Sequence, residues 1–154
     1  MSWLAGHELE KLIQKNADAK TRKAFLGVYA MDDLPHRIPH LPALLIINTH
    51  TSNLLGEHWK AIYISKDRHG EIFDSLALPT STRLMQWMNS FTRKWTRSPL
   101  TVQNPHSATC GAFVLYFILT RLHVPTFMSC LQLFSRDLYN NDKLMMNFVS
   151  NLRK

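Results

Sequence analysis

The chain has 154 residues, 45% of them hydrophobic, enough for one ordinary core that buries on the order of 70% of the surface the unfolded chain exposes, so a single domain over residues 1–154 is expected. Its 18 Lys and Arg against 11 Asp and Glu leave a net +7, which suits an anionic partner such as nucleic acid and equally suits a solubilising surface. Two cysteines are too few for a disulfide framework, and the apolar run at residues 111–119 is far short of the ~20 residues that cross a bilayer, so neither a disulfide scaffold nor a membrane role is indicated.

Residues 8–24 carry Leu9, Leu12 and Ile13 on one face with charges elsewhere, the spacing of an amphipathic surface helix. Its opening, Glu8-Leu9-Glu10-Lys11, lacks the apolar region of a signal peptide, so both thiols are expected reduced, in a reducing compartment. FLGVYAMDDLP (25–35) is interrupted by Gly27 and Pro35, and HRIPHLP (36–42) adds two more prolines, which predicts a loop with short extended pieces. ALLIIN (43–48) is a continuous apolar run, as in a strand buried on both faces. In HWKAIYI (58–64), Trp59, Ala61 and Tyr63 alternate with Lys60, Ile62 and Ile64, a second largely buried strand. The polar SKDRHG (65–70) then turns the chain into EIFD (71–74), an antiparallel hairpin with His58 and Asp74 at its open end.

Beyond Pro79, Leu84, Met88, Phe91 and Trp95 recur at helical intervals, predicting one helix bounded by Ser98-Pro99. A short strand at 100–102 leads into VQNPHSATCG (102–111), and apolar helical patterns follow at 111–122, 127–134 and 144–152. The expected architecture is α+β, a small mixed or antiparallel sheet packed against helices. Cys130 and the Met pairs read as core, and Pro39 between His36 and His40 keeps those two off a shared helical face, so no metal site is expected.

The chemistry concentrates at the end of the polar loop. Cys110 opens a buried helix with Ser107 and Thr109 as candidate caps, and a thiol in the first turn feels the positive end of the helix dipole, which favours thiolate. A nucleophilic thiol needs a base, a group to orient that base, and donors for the oxyanion. His58 and Asp74 at neighbouring strand ends fit the first two roles, and Gln103 with the Cys110 backbone N–H fits the third. Each residue also fits a structural role: Cys110 as a small buried hydrophobe, His58 as one of eight histidines, Asp74 as a turn residue, Gln103 as a loop cap.

The ordered blocks FLGVYAMDDLP, ALLIINTHTSNLLGEHW and VQNPHSATCGAF resemble the adenovirus-type cysteine endopeptidase, of the same broad clan as the SUMO-deconjugating proteases. The resemblance covers roughly residues 25–117. It implies a papain-like core with His58 as base, Asp74 as orienting carboxylate, Gln103 as oxyanion donor and Cys110 as nucleophile. Asp74 stands where the adenovirus enzymes carry Glu, and FDSL is closer to the SUMO proteases. TRKWTRSPLTVQ (92–103) has no cysteine, which argues against the disulfide-linked peptide activator of adenovirus members, and the tail after Cys110 is shorter than theirs.

On this resemblance the expected activity is cleavage of viral capsid and core precursor proteins at small Gly-containing motifs during particle maturation, by a monomer from a DNA virus or virus-like mobile element. The implied location is the virion and the host nucleus. Gly56, Glu57 and Trp59, flanking His58, are the candidate substrate groove, where a cleft too narrow for side chains would select glycine by exclusion. No metal or organic cofactor is called for. DNA is the implied activator, with Lys11, Lys15, Arg22 and Lys23 and then Arg93, Lys94 and Arg97 as phosphate contacts. Two rival readings are a protease for ubiquitin-like conjugates, cutting after Gly-Gly, and a non-catalytic basic nucleic-acid-binding module.

Overall fold

The computed structural model describes residues 4–49 and 58–154. Among them, five strands form one mixed sheet in the order β1-β2-β3-β4-β5, the sequence order: β1 (Phe25–Ala30), β2 (Ala43–Asn48), β3 (Trp59–Ile64), β4 (His69–Phe73) and β5 (Lys94–Arg97). The three central strands pair antiparallel, while β1 and β5 join the edges in parallel to β2 and β4. The helices are α1 (Gly6–Asn16), α2 (Ala19–Ala24), α3 (Thr82–Phe91), α4 (Cys110–Thr120), α5 (Phe127–Leu131) and α6 (Leu138–Leu152). A 3₁₀ turn, Arg121–His123, follows α4.

The sheet has a core on each face, and strand alternation assigns the residues. Leu44, Ile46, Ala61 and Phe73 face α1, α4, α5 and α6, whereas Leu45, Ile47, Ile62 and Ile72 face α3. β2 is therefore buried on both sides, as its unbroken apolar run requires. α4 is apolar around its whole circumference because the sheet, α1 and α6 enclose it. Phe117 stacks on Phe73 with ring centroids 5.0 Å apart, fixing α4 against β4.

Several elements depart from the sequence expectation, each for a local reason. The helix expected over 8–24 is two, because Ala17 and Asp18 are extended and Asp18 accepts from the Thr21 N–H to start α2. The loop expected over 25–35 contains β1. Gly27, read as a breaker, instead supplies a backbone at φ 142° where the register shifts between Phe25 and Gly27, so the strand continues past an irregularity that a side chain would resist. The helix expected to reach Trp95 stops at Phe91, where Thr92 is extended and its hydroxyl caps Met88 O. Trp95 still reaches the same apolar cluster as Leu84, Met88 and Phe91, but from β5. Glycine at position 70 allows β4 and α3 to approach: a Cβ there would lie 2.6 Å from Met88 Cε and 2.7 Å from Thr92 Cγ2.

The remaining differences lie in the second half. Residues 100–102 are not a strand; the N–H groups of Val102 and Gln103 both donate to Ser75 O. α5 ends at Leu131, short of the expected 134. α6 begins six residues before the expected 144, at Leu138, because Asp137 caps it by accepting from the Asn140 N–H. Of the added residues 138–143 only the adjacent Leu138 and Tyr139 are hydrophobic, so hydrophobic periodicity gave no signal there.

Candidate active site

Strand register places the candidate groups. The β3–β4 pairing ends at Ala61 opposite Phe73, so one further step sets Lys60 across from Asp74, with His58 two residues before Lys60 at the mouth of the hairpin. Thr49, past the end of β2, pins the His58 backbone: its N–H donates to His58 O at 3.0 Å and its hydroxyl at 3.3 Å. His58 Nε2 then lies 2.6 Å from Asp74 Oδ1, and both side chains are buried. The ring is also in hydrogen-bonding contact with the Cys110 thiol, and with Nε2 engaged by Asp74, Nδ1 is the nitrogen left for the sulfur.

The turn after β4 is wrapped around the Asp74 carboxylate. Oδ1 accepts from the Leu76 N–H at 2.9 Å and Oδ2 from the Leu78 N–H at 3.0 Å, while Ala77 between them takes a left-handed φ of 51°. A left-handed alanine costs about 1–2 kcal/mol, offset here by the two charge-assisted bonds that the turn geometry makes possible. Oδ2 also receives the Lys60 ammonium at 3.3 Å. Burial would raise the pKa of Asp74, but the His58 hydrogen bond, the charges of His58 and Lys60 and the Leu76 N–H outweigh it and hold the carboxyl below its usual range. Burial likewise opposes the imidazolium of His58, and hydrogen bonds and charge from Asp74 and Cys110 overcome it, raising its pKa from 6.5 to about 9. The same contacts favour the protonated ring beside a thiol at a helix N-terminus.

Cys110 is the first residue of α4, so its thiol stands at the helix N-terminus. Thr109 occupies the capping position, yet its side chain makes no cap; its hydroxyl bonds the Ser107 hydroxyl at 2.9 Å instead. The capping roles expected of Ser107 and Thr109 are thus replaced by a bond between them, which orders the loop rather than the first turn. The first-turn N–H of Ala112 turns back to Thr109 O at 2.9 Å, and the positive end of the helix dipole lies at the thiol.

Gln103 is buried and clamped at both ends of its amide. Oε1 accepts from the Ser75 hydroxyl at 2.5 Å, and Nε2 lies 3.1 Å from Ser107 O and 3.3 Å from Ser107 Oγ. The Ser107 carbonyl fixes Nε2 as the donor end of the amide, and both of its bonds run to Ser107. The segment holding Gln103 is braced from α6: Asn141 Nδ2 donates to Val102 O at 3.0 Å, and the Asn104 N–H donates to Asp142 Oδ1 at 3.1 Å.

The structure thus brings four expected residues, His58, Asp74, Gln103 and Cys110, to one end of the sheet. Lys60, Ser75, Asn141 and Asp142 were not anticipated in this setting. The alternation of β3 placed Lys60 on the face shared with Ile62, and only the hairpin register could have shown that Asp74 faces it. Of the candidate groove residues, Gly56 and Glu57 lie outside the described residues. Trp59 turns into the core, 6% exposed, with its indole N–H donating to Leu4 O at 3.1 Å. The seven candidate phosphate contacts are exposed but divided. Lys11 and Lys15 on α1 and Arg22 and Lys23 on α2 flank β1, while Arg93, Lys94 and Arg97 lie along β5 at the opposite edge. Neither cysteine is in a disulfide, and Cys130 is core, its thiol pushed up to about 11 by burial. Among the described residues, no group of three or more His, Cys, Asp or Glu side chains is arranged to hold a metal ion. None of the described helices is long and apolar enough to cross a membrane.

Solved structures share this fold at low identity. The ASFV pS273R protease superposes with a TM-score of 0.67 at 16% identity over 92% of this chain, which spans 64% of the length of that chain. The central domain of the uncharacterized Lpg1148 protein from Legionella pneumophila gives 0.56 at 14% identity, covering 99% of this chain and 98% of that one. The Chlamydia abortus effector protein ChlaDUB gives 0.51 at 14% identity over 96% of this chain and 78% of that one. No curated protein matches the sequence. Residues 38–147 match the family described as Ulp1 protease family, C-terminal catalytic domain. The match falls in the clan to which the sequence blocks pointed, which holds both SUMO proteases and the adenovirus-type enzyme.

Proposed function

Because the chain belongs to the Ulp1 protease family, a family of cysteine proteases, we propose that it is a thiol endopeptidase in which Cys110 attacks the scissile carbonyl and His58 holds the proton. Asp74 fixes the imidazole, and the Gln103 amide with the Cys110 N–H receives the oxyanion. The observation that carries this reading is the His58 ring, 2.6 Å from Asp74 and in contact with a thiol at the first residue of a helix. Cys110 Sγ forms the acyl bond, the imidazolium returns its proton to the leaving amine, and water then releases the acid.

The proposed substrates are structural precursors of a DNA virus or virus-like element, cut at Gly-containing motifs. The three sequence blocks shared in order with the adenovirus-type enzyme support this. A second reading, cleavage of ubiquitin-like conjugates after Gly-Gly, is favoured by the Ulp1 family match itself. The purified protein is incubated with a Gly-containing capsid-precursor peptide beside a ubiquitin-like precursor. Cleavage of the first alone supports the maturation reading, cleavage of the second alone replaces it, and cleavage of neither by a folded protein overturns both.

A further inference from the structure

A lysine is almost never fully buried unless it is paired, yet Lys60 is 4% exposed on a strand whose neighbouring residues, Ile47 across β2 and Ile62 on the same face, are apolar. Packing alone would be met by another isoleucine. Its Nζ lies 3.3 Å from Asp74 Oδ2, and Asp74 is 2% exposed. That carboxylate accepts from His58 and from two backbone N–H groups, which occupy three of its roughly four acceptor sites, so an uncharged donor beside it would complete the set. What Lys60 adds is a fixed positive charge.

We infer that Lys60 is a positioning residue for the thiol–imidazole pair, acting through the shared Asp74 carboxylate to set the pH range in which Cys110 is a thiolate beside a protonated His58. The inference rests on the reading of Cys110 as nucleophile. Among the described residues, the ionisable groups at this cluster are Lys60 from β3, Asp74 after β4, His58 before β3 and Cys110 from α4. With thiolate and imidazolium formed, the four charges sum to zero; without Lys60 they sum to −1. A nearby cation eases loss of the thiol proton, by stabilising the thiolate, and of the ring proton, by repelling the imidazolium. Both titrations therefore sit lower with Lys60 present than without it. At the separations of neighbouring side chains the displacement is on the order of one pH unit.

The test reads the thiol directly. The rate of iodoacetamide alkylation of Cys110 is followed against pH, with its peptide quantified by mass spectrometry separately from that of Cys130. In Lys60→Met, which keeps the aliphatic stem, and in Lys60→Gln, which keeps an N–H donor without charge, the midpoint should rise by about one pH unit while the plateau rate is retained. Lys60→Arg, which keeps the charge, should stay near the wild-type midpoint. An unmoved midpoint in either neutral variant, with melting and near-ultraviolet dichroism showing a folded protein, overturns the role of Lys60 and leaves the nucleophile standing. A wild-type Cys110 that alkylates as slowly as Cys130 near neutral pH overturns the nucleophile reading and this one with it. Should both neutral variants fail to fold, the Arg variant decides: a midpoint displaced from wild type despite the retained charge counts against the inference.

Discussion

The two thiols of this protein lie toward opposite ends of α4, and each has a buried carboxylate–cation pair close by. Cys110, at the start of the helix, faces His58, Asp74 and Lys60; Cys130 is influenced by Arg121 and Glu71, just past the helix end. The second pair is closed on itself. Arg121 grips Glu71 at 2.6 and 2.8 Å and stacks 4.5 Å over the Tyr63 ring, and the side chain in hydrogen-bonding contact with the Cys130 sulfur is the Tyr116 hydroxyl rather than an imidazole. Burial accordingly wins, and Cys130 is held as a thiol well above its ordinary range. At the first pair the carboxylate is divided between an ammonium and a titratable ring, and the ring can take the proton of the thiol. Positive charge nearby does not by itself activate a cysteine; a place for the proton and a helix N-terminus do.

The largest effect should therefore separate the thiols outright. Cys110→Ala is expected to leave no measurable peptidase turnover in a folded protein. Cys130→Ala should keep kcat/KM within about twofold while losing roughly 1–2 kcal/mol of stability from the vacated core. Equal loss of turnover in two folded variants would erase the distinction.

The next comparison sets the two carboxylates against each other. Asp74→Asn keeps a hydrogen-bonding group beside the ring but cannot stabilise the imidazolium, so kcat should fall on the order of 10³–10⁴-fold. Glu71→Gln should spare kcat yet cost up to about 3–5 kcal/mol of stability, since it leaves Arg121 buried against a neutral partner. Steady-state kinetics beside urea unfolding tell the two apart, and a catalytic loss from Glu71→Gln matching that of Asp74→Asn would contradict the contrast.

Gln103→Ala should lower kcat by about 10²–10³ with little change in KM, as for loss of one oxyanion donor. Ser75→Ala, which frees the far end of the same amide, should give a smaller loss of the same kind. A change confined to KM would make Gln103 a substrate-binding residue.

These residues also show what the sequence could and could not reveal. His58, Asp74, Gln103 and Cys110 stood at element boundaries beside strong apolar runs, and motif blocks fixed their order, so their convergence was legible. The buttress was not. Asn141 and Asp142 lie in the first turns of α6, where no apolar period marks a helix, and Lys60 looked like one more alternating position of β3. β1 escaped because a single glycine signals a break and an irregular strand equally well. In each case the missing information was a tertiary partner, and local spacing does not carry that.

The smallest effect distinguishes the ends by how stability depends on pH. His58 has an unfolded value near 6.5 and a folded one of about 9, so the folded state binds the proton more tightly, and the resulting stability is fully present below about pH 6.5. It is lost as pH rises through about 9. The lowered carboxyl of Asp74 acts in the opposite sense, contributing above its unfolded value and fading as pH falls through the carboxylate range. Alone, His58 would make stability decline from about pH 6.5 to about 9 by a few kcal/mol at most. A Cys110 thiolate, however, gives up one proton for the one the ring holds, so the pair should leave stability nearly level until the unfolded thiol titrates at about 8.5. In Cys110→Ala that compensation is lost, so a shallow decline should appear as the ring, held by Asp74, titrates alone, and in His58→Ala the decline due to the ring should vanish. Glu71→Gln should shift the curve downward and change its slope little below about pH 9, since the thiol at that end, Cys130, is held at about 11 and departs from its unfolded behaviour only near pH 9 and above. A wild-type melting temperature that falls as steeply from about pH 6.5 to about 9 as that of Cys110→Ala would mean that His58 and Cys110 do not form the ion pair.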